Sequence, residues 1–167
     1  MATKTAATTT AASKTAKVKP IPTGYHAITP YLIFDGAARA IDFYRRAFDA
    51  KELLRIPAPS DRIGHAEIKV GDSVIMMADE HPEMDAYAPK HFGGSPVSLL
   101  LYVTDVDTMF KQAIAAGAAE LRPVADQFYG DRSGTLKDPF GHTWHLSTHK
   151  EDVSMEEMAR RMAAMKQ

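Results

Sequence analysis

Cysteine is absent from this 167-residue chain, and long apolar runs are missing as well. Without cysteine the protein has no disulfide, no thiolate nucleophile and no thiolate ligand for a metal. This composition fits a reducing compartment, and we therefore expect a cytoplasmic protein. No run of about 18 apolar residues occurs, so the sequence predicts no transmembrane helix.

The sequence also has no excess of charge of either sign, because 20 Lys and Arg stand against 21 Asp and Glu. A balanced charge does not favour nucleic acid or an anionic membrane as a partner. Residues 1–22 contain no acidic residue and no apolar segment typical of a secretory signal, although their composition overlaps with that of organelle transit peptides. We expect residues 1–24 to form a disordered tail.

A β-hairpin is the clearest feature that the sequence does contain. Two stretches of alternating polar and apolar residues flank the turn 138–141, in which Pro139 presets φ and Gly141 tolerates a positive φ. The expected register pairs Lys137 with Thr143, Thr135 with His145, and Ser133 with Ser147. One face of the hairpin is then polar, and the other carries Gly134, Leu136, Trp144 and Leu146.

The same order of elements occurs twice along the chain. The first copy, about 28–79, has a strand at 28–34, a helix at 37–48, a strand at 51–56, and strands at 64–70 and 73–78. The second copy, about 96–149, has a strand at 97–103, a helix at 106–116, a strand at 120–124, and the hairpin. A linker at 80–95 separates them. The repeat predicts an α+β fold of tandem βαβββ modules whose sheets combine around a cleft, with helices on the outer faces.

Four segments in this order resemble the vicinal oxygen chelate superfamily, and within it the PhnB-like glyoxalase/bleomycin-resistance proteins. They are ITPYLIFDGAARAIDFYRRAF at 28–48, HAEIKVGDSVIMMADE at 65–80, QFYGDRSGTLKDPFGHTWHLSTH at 127–149, and EDVSMEEMARR at 151–161. The resemblance implies the glyoxalase/bleomycin resistance/dioxygenase fold over residues 25–149. It also implies a homodimer whose subunits complete each other's clefts. A C-terminal helix within 150–167, capped by Ser154 and carrying a methionine stripe, is a candidate contributor to that dimer.

Metal-binding members of the superfamily place His and Glu ligands on the first and last strands of each module. The resemblance carries those positions onto Thr29, Met76, Ser98 and His145, of which only His145 is a strong ligand. A divalent metal normally takes three or four His, Glu or Asp ligands. We therefore expect no metal cofactor, and a partial site of His145 with His65 and Glu67 stays open as an alternative.

Strand parity supplies further candidates. Around the turn Gly71-Asp72 it pairs Glu67 with Met76, which places His65 and Glu67 on the cleft side as acid–base partners or as a solubilising surface pair. The candidate catalytic residues are His65, Glu67 and His145. The candidate ligand-binding residues are Thr29, Tyr31, Met76, Ser98, Tyr102, Tyr129 and Thr135. We expect Arg132 to have a structural role, and His81, His91 and His149 to lie outside the site.

Three functions remain open at this point. The first is a protein that binds a small molecule in its cleft without a metal. The second is a lyase- or dioxygenase-like enzyme acting through His65, Glu67 and His145, with or without a metal at an unusual site. The third is a structural or regulatory dimer without cleft chemistry.

Overall fold

The computed structural model describes residues 18–165, and residues 1–17 of the expected tail lie outside the described part. The first module consists of β1 (Tyr31–Phe34), α1 (Ala37–Phe48), β2 (Lys51–Ala58), β3 (Arg62–Val70) and β4 (Ser73–Asp79). Two short 3-10 helices follow, Pro82–Met84 and Pro89–Phe92. The second module consists of β5 (Ser98–Tyr102), α2 (Val106–Ala116), β6 (Ala119–Asp126), β7 (Asp131–Lys137) and β8 (Thr143–His149), and α3 (Met155–Ala164) ends the chain. The predicted α+β fold of tandem βαβββ modules is confirmed.

Each module forms one four-stranded sheet, in the order β1-β4-β3-β2 or β5-β8-β7-β6. The first strand of each module runs parallel to the last, and the other neighbours are antiparallel. Both predicted hairpin registers are confirmed, including Glu67 opposite Met76 and Thr135 opposite His145. Gly141 adopts the expected positive φ of 98°. Strands β1 and β5 are shorter than predicted, whereas β2 and β6 are longer.

The start of α1 shows a long-range contact that a local pattern does not reveal. Gly36 is the N-cap, and it supplies no side-chain acceptor. The carboxylate of Asp79, at the end of β4, accepts hydrogen bonds from the backbone N–H groups of Gly36 and Ala37 at 2.8 and 2.7 Å. A negative group at a helix N-terminus also complements the helix dipole. Asp79 therefore fixes α1 against its own sheet.

One hydrophobic core serves both modules. Each helix covers one face of its own sheet, and α1 also packs against α2 and against Trp144 of the second sheet. The ring of Trp144 lies 5.5 Å from that of Tyr44 and 4.8 Å from that of Phe48, measured between centroids. Because the core crosses the module boundary, neither module buries its apolar face alone.

The opposite face of each sheet carries no helix, and we call these the first and second open faces. Large side chains on them are 42% to 59% exposed. They are Tyr31, Leu54 and Ile56 on the first open face, and Leu100 and Tyr102 on the second. Within residues 18–165 no hydrogen bond joins the two open faces. The expectation that the sheets of one chain combine around a cleft is therefore wrong, because the helices meet between the modules and each open face borders solvent.

The C-terminal helix α3 begins at the predicted cap, where the Ser154 side chain accepts a hydrogen bond from the N–H of Glu157. It buries none of its residues. An ion pair of 2.8 Å between Arg161 and Glu151 ties it to the preceding segment. Within residues 18–165, no helix combines the length and apolar character that a membrane crossing requires.

Candidate functional site

A line of hydrogen bonds crosses the first open face. The hydroxyl of Tyr31 lies 3.0 Å from Nδ1 of His65, and Nε2 of His65 lies 3.2 Å from the Glu67 carboxylate. The phenol of Tyr25, from the segment that precedes β1, donates to the other oxygen of Glu67. Strand β3 supplies His65 and Glu67 on the same face because they are two residues apart. The predicted pair of His65 and Glu67 is thus part of a hydrogen-bonded group of four side chains, which also includes Tyr25 and Tyr31.

The contacts of His65 select one tautomer of its neutral ring. A carboxylate only accepts hydrogen bonds, so the nitrogen facing Glu67 carries a proton, and in the neutral ring Nδ1 is then the acceptor for the Tyr31 hydroxyl. Glu67 is only 8% exposed, so the hydrogen bond that orients the His65 imidazole comes from a buried carboxylate. Burial raises the pKa of Tyr31, so its phenol stays neutral near pH 7. The Glu67 carboxylate, the His65 imidazole and the Tyr31 phenol are thus linked in that order. In this arrangement the phenol proton of Tyr31 can pass to His65.

Tyr25 was not among the predicted site residues. Its pKa is raised by the hydrogen bond to Glu67, then by burial and by the charge of that carboxylate. Tyr25 lies outside any strand or helix, in a segment that the sequence places at the border of the tail. No periodic pattern contains it, and only the long-range contact reveals its position.

On the second open face His145 is held on both sides. Its Nδ1 lies 2.9 Å from the Thr135 hydroxyl, and its Nε2 lies 3.1 Å from the Ser98 hydroxyl. These three predicted residues therefore meet, and with Arg122 they line a shallow cavity of about 340 Å³. Hydroxyl groups can donate or accept, so the face can bind a ligand with either polarity.

A second cluster on this face surrounds Asp131. Its carboxylate accepts hydrogen bonds from Tyr102 at 2.9 Å, from Ser147 at 3.0 Å and from His149 at 2.7 Å. Burial by itself raises the pKa of Asp131, but these hydrogen bonds, that of His149 foremost, outweigh it and lower the pKa. The pKa of His149 is raised by its hydrogen bonds to Asp131 and then to Asp152. His149 was expected to lie outside the site and in fact lies on the same open face.

The remaining candidates lie at the borders of these clusters. Thr29 precedes β1 and donates to the backbone oxygen of His26 at 3.1 Å, so it is not on a strand as predicted. Met76 lies beside Tyr31 in the sheet register. The hydroxyl of Tyr129 lies 3.3 Å from that of Ser133. Arg132 has the structural role that the sequence predicted, in ion pairs with Asp107 and Asp126.

The side chains at the family's metal positions do not suit a divalent metal. Thr29, Met76 and Ser98 offer a hydroxyl, a thioether and a hydroxyl, and only His145 is a strong ligand. His65 and Glu67 lie on the first sheet and His145 on the second. Across residues 18–165, no group of three or more His, Asp or Glu side chains is placed to hold one ion.

The two sheets repeat the same backbone with different side chains. In the first, Tyr31 pairs with Met76, which pairs with Glu67, which faces Leu54. In the second, Leu100 pairs with His145, which pairs with Thr135, which faces Arg122. Matching positions therefore carry unlike chemistry.

Paired βαβββ modules define the glyoxalase/bleomycin resistance/dioxygenase fold. The family model described as Glyoxalase/Bleomycin resistance protein/Dioxygenase superfamily matches residues 25–146, and the chain belongs to this superfamily. An uncharacterised Mycobacterium tuberculosis H37Rv protein, Rv0887c, is 42% identical over 141 residues, which cover 83% of each chain.

Solved structures show the same fold. TioX from Micromonospora sp. ML1 is 28% identical with a TM-score of 0.59, and the match covers 77% of this chain and 100% of TioX. A PhnB protein from Bacillus cereus is 23% identical with a TM-score of 0.57, covering 74% of this chain and 99% of that protein. At that identity the PhnB protein shows a shared fold alone.

Proposed function

We propose that the protein binds a small organic molecule between the first open face of one chain and the second open face of another, in a homodimer. The main support is that each open face has a network of hydrogen-bonded polar side chains next to exposed apolar side chains. Exposed apolar surface of this kind marks interaction sites and ligand grooves. Two such faces brought together form a cleft with apolar walls and a few fixed polar groups, which is how ligand sites are built.

The polar groups on the two faces would bind opposite parts of the ligand. The first face presents the Tyr31 hydroxyl, oriented through His65 by Glu67. The second presents His145 between two hydroxyls and Arg122 at the cavity edge. We further propose that no metal is required, because the residues at the family positions do not form a ligand set. Membership of the PhnB-like subgroup and a cytoplasmic location belong to the same proposal.

Binding can be tested on purified, untagged protein with small molecules that remain bound through purification. Native mass spectrometry of the dimer, followed by analysis of the compound released on denaturation, gives its mass and stoichiometry. We expect wild type and His91→Ala to carry the same compound, since His91 is an exposed linker residue. The double variant Thr135→Val, His145→Ala is expected to lose it. A monomeric protein, or equal retention in all variants, would contradict the proposal.

A second candidate function is metal-independent acid–base catalysis, and the Tyr31–His65–Glu67 line favours it. A proton taken from a C–H or O–H group of the substrate would move to the Tyr31 oxygen as the phenol proton moves to His65 Nδ1. Glu67 would stabilise the imidazolium that results. Such acid–base groups contribute about 100- to 10,000-fold to a rate.

Two measurements separate these functions. Once the compound is identified, Glu67→Gln is expected to retain binding, whereas turnover of that compound falls about 100-fold or more if the line is catalytic. Unchanged chemical identity of the compound after long incubation with wild type supports binding alone. Elemental analysis of untagged protein tests the metal: about one equivalent of zinc, nickel, iron or manganese per cleft would contradict metal independence.

A further inference from the structure

A cavity among the described residues lies away from both open faces, at the junction of α1, the linker and the β7–β8 turn. Its volume is about 690 Å³, which is within the range of small-molecule sites. It shares no residue with the site described above. The lining comprises Asp35, Arg39, Phe43, Arg46, Ala88, Lys90, Gly93, Gly94, Ala116, Lys137, Asp138, Pro139, Phe140 and Gly141.

The charge of this lining is strongly one-sided. Four cationic side chains, Arg39, Arg46, Lys90 and Lys137, surround the cavity, although the whole protein has a net charge of −1. Within residues 18–165 none of the four forms an ion pair with a carboxylate. Asp35 is the one exposed acid in the lining, since Asp138 is buried. Asp138 is also already hydrogen-bonded to Tyr44 and to the backbone N–H groups of Phe140 and His142.

The two arginines are held in place by the backbone. Arg39 donates to the carbonyl of Asp35 at 2.9 Å, and Arg46 donates to the carbonyl of Ala116, at the end of α2, at 3.2 Å. Each contact uses one donor of a guanidinium fork that has five. The remaining donors of each fork have no acceptor within residues 18–165. Both side chains lie on the same stripe of α1, seven residues apart, and Phe43 between them is buried in the core.

We propose that this cavity binds a small organic polyphosphate, with the phosphate chain on the cations and an apolar ring system against Phe140. Guanidinium groups bind phosphate in a bidentate manner, and lysines add point charges. Four cations against one exposed carboxylate match an anion with about three negative charges, as a diphosphate or triphosphate carries near neutral pH. The site would therefore bind a second ligand, chemically unlike the occupant of the cleft.

The test uses the full chain and inorganic tripolyphosphate as the probe, by isothermal titration calorimetry at low ionic strength. Arg46→Ala is expected to weaken binding about tenfold, which corresponds to about 1.4 kcal/mol. Its neighbour Arg45 is the matched control, since it points away from the cavity and pairs with Asp42 at 3.5 Å. Arg45→Ala is expected to leave the affinity within about twofold, a change too small to indicate a specific contact.

Two further variants make the result decisive. Arg39→Ala is expected to match Arg46→Ala, and His145→Ala on the second open face is expected to bind tripolyphosphate like wild type. Circular dichroism verifies that each variant is folded. No binding by wild type, equal loss in Arg45→Ala and Arg46→Ala, or no loss in either cavity variant would overturn the proposal.

Discussion

The hydroxyl of Tyr44 lies 2.5 Å from the carboxylate of Asp138 and joins the two modules. Tyr44 lies on α1 of the first module, and Asp138 begins the turn between β7 and β8 of the second. Burial, and then the charge of Asp138, raise the pKa of Tyr44 well above its ordinary value, so the phenol remains a donor. Trp144 and two backbone N–H groups of the turn complete the shell of Asp138.

Removing this hydroxyl should destabilise the whole chain. Tyr44→Phe leaves the buried carboxylate of Asp138 with one donor fewer, and we expect a loss of about 1–3 kcal/mol in the free energy of unfolding. Urea denaturation followed by circular dichroism measures it. The control is Tyr87→Phe, whose hydroxyl makes only a 3.5 Å contact with a backbone oxygen. Equal effects in the two variants would contradict a special role for the Tyr44–Asp138 bond.

The His149–Asp131 contact predicts a pH dependence. The pKa of His149 is raised above its ordinary value, so its contribution to stability is complete below about pH 6.5 and is lost as pH rises through the folded-state pKa. Asp131, whose pKa is lowered, contributes above its ordinary pKa and loses that contribution as pH falls toward its folded-state value. Melting temperature measured between about pH 5.5 and 8.5 should fall more in wild type than in His149→Gln. Parallel curves for the two proteins would refute this.

Gly130 is predicted to tolerate no side chain. Its φ is +100°, and a Cβ built there would lie 2.1 Å from the backbone oxygen of Glu151. Gly24 has a similar φ of +92°, but its Cβ would meet nothing within 4 Å, so it is the matched control. We expect Gly130→Ala to cost about 1–3 kcal/mol more than Gly24→Ala in urea denaturation. Similar costs would mean that φ alone, and not the contact with the segment before α3, requires glycine.

The proposed dimer predicts that a charge on either open face separates the subunits. Leu54→Lys and Leu100→Lys each replace an exposed apolar side chain, and burial of such a side chain is worth about 1.5–3 kcal/mol. We expect each to raise the dimer dissociation constant at least about tenfold in sedimentation velocity experiments. Phe92→Lys, at an exposed linker position, should leave it unchanged. An unaltered dimer in both face variants would place the interface elsewhere.

The sequence was sufficient for features that depend on local periodicity. Helix α1 and the register of Thr135 with His145 follow from spacing and turn chemistry, and the structure confirms both. The contacts of Asp79 with α1 and of Tyr25 with Glu67 join residues 42 or more positions apart, and no local pattern encodes them. The sequence also did not predict that the helices lie between the modules and leave the other face of each sheet open. That arrangement depends on how α1 packs against Trp144 of the second sheet.

The unlike open faces have a consequence for how the proposed cleft can be altered. The two modules share one backbone arrangement, yet Glu67 occupies the position where the second module has Thr135, and Met76 the position where it has His145. A substitution on one face leaves the other copy's chemistry untouched, while the shared core preserves the scaffold. A substitution on one open face can therefore change one side of the proposed cleft while the rest of the fold keeps its packing.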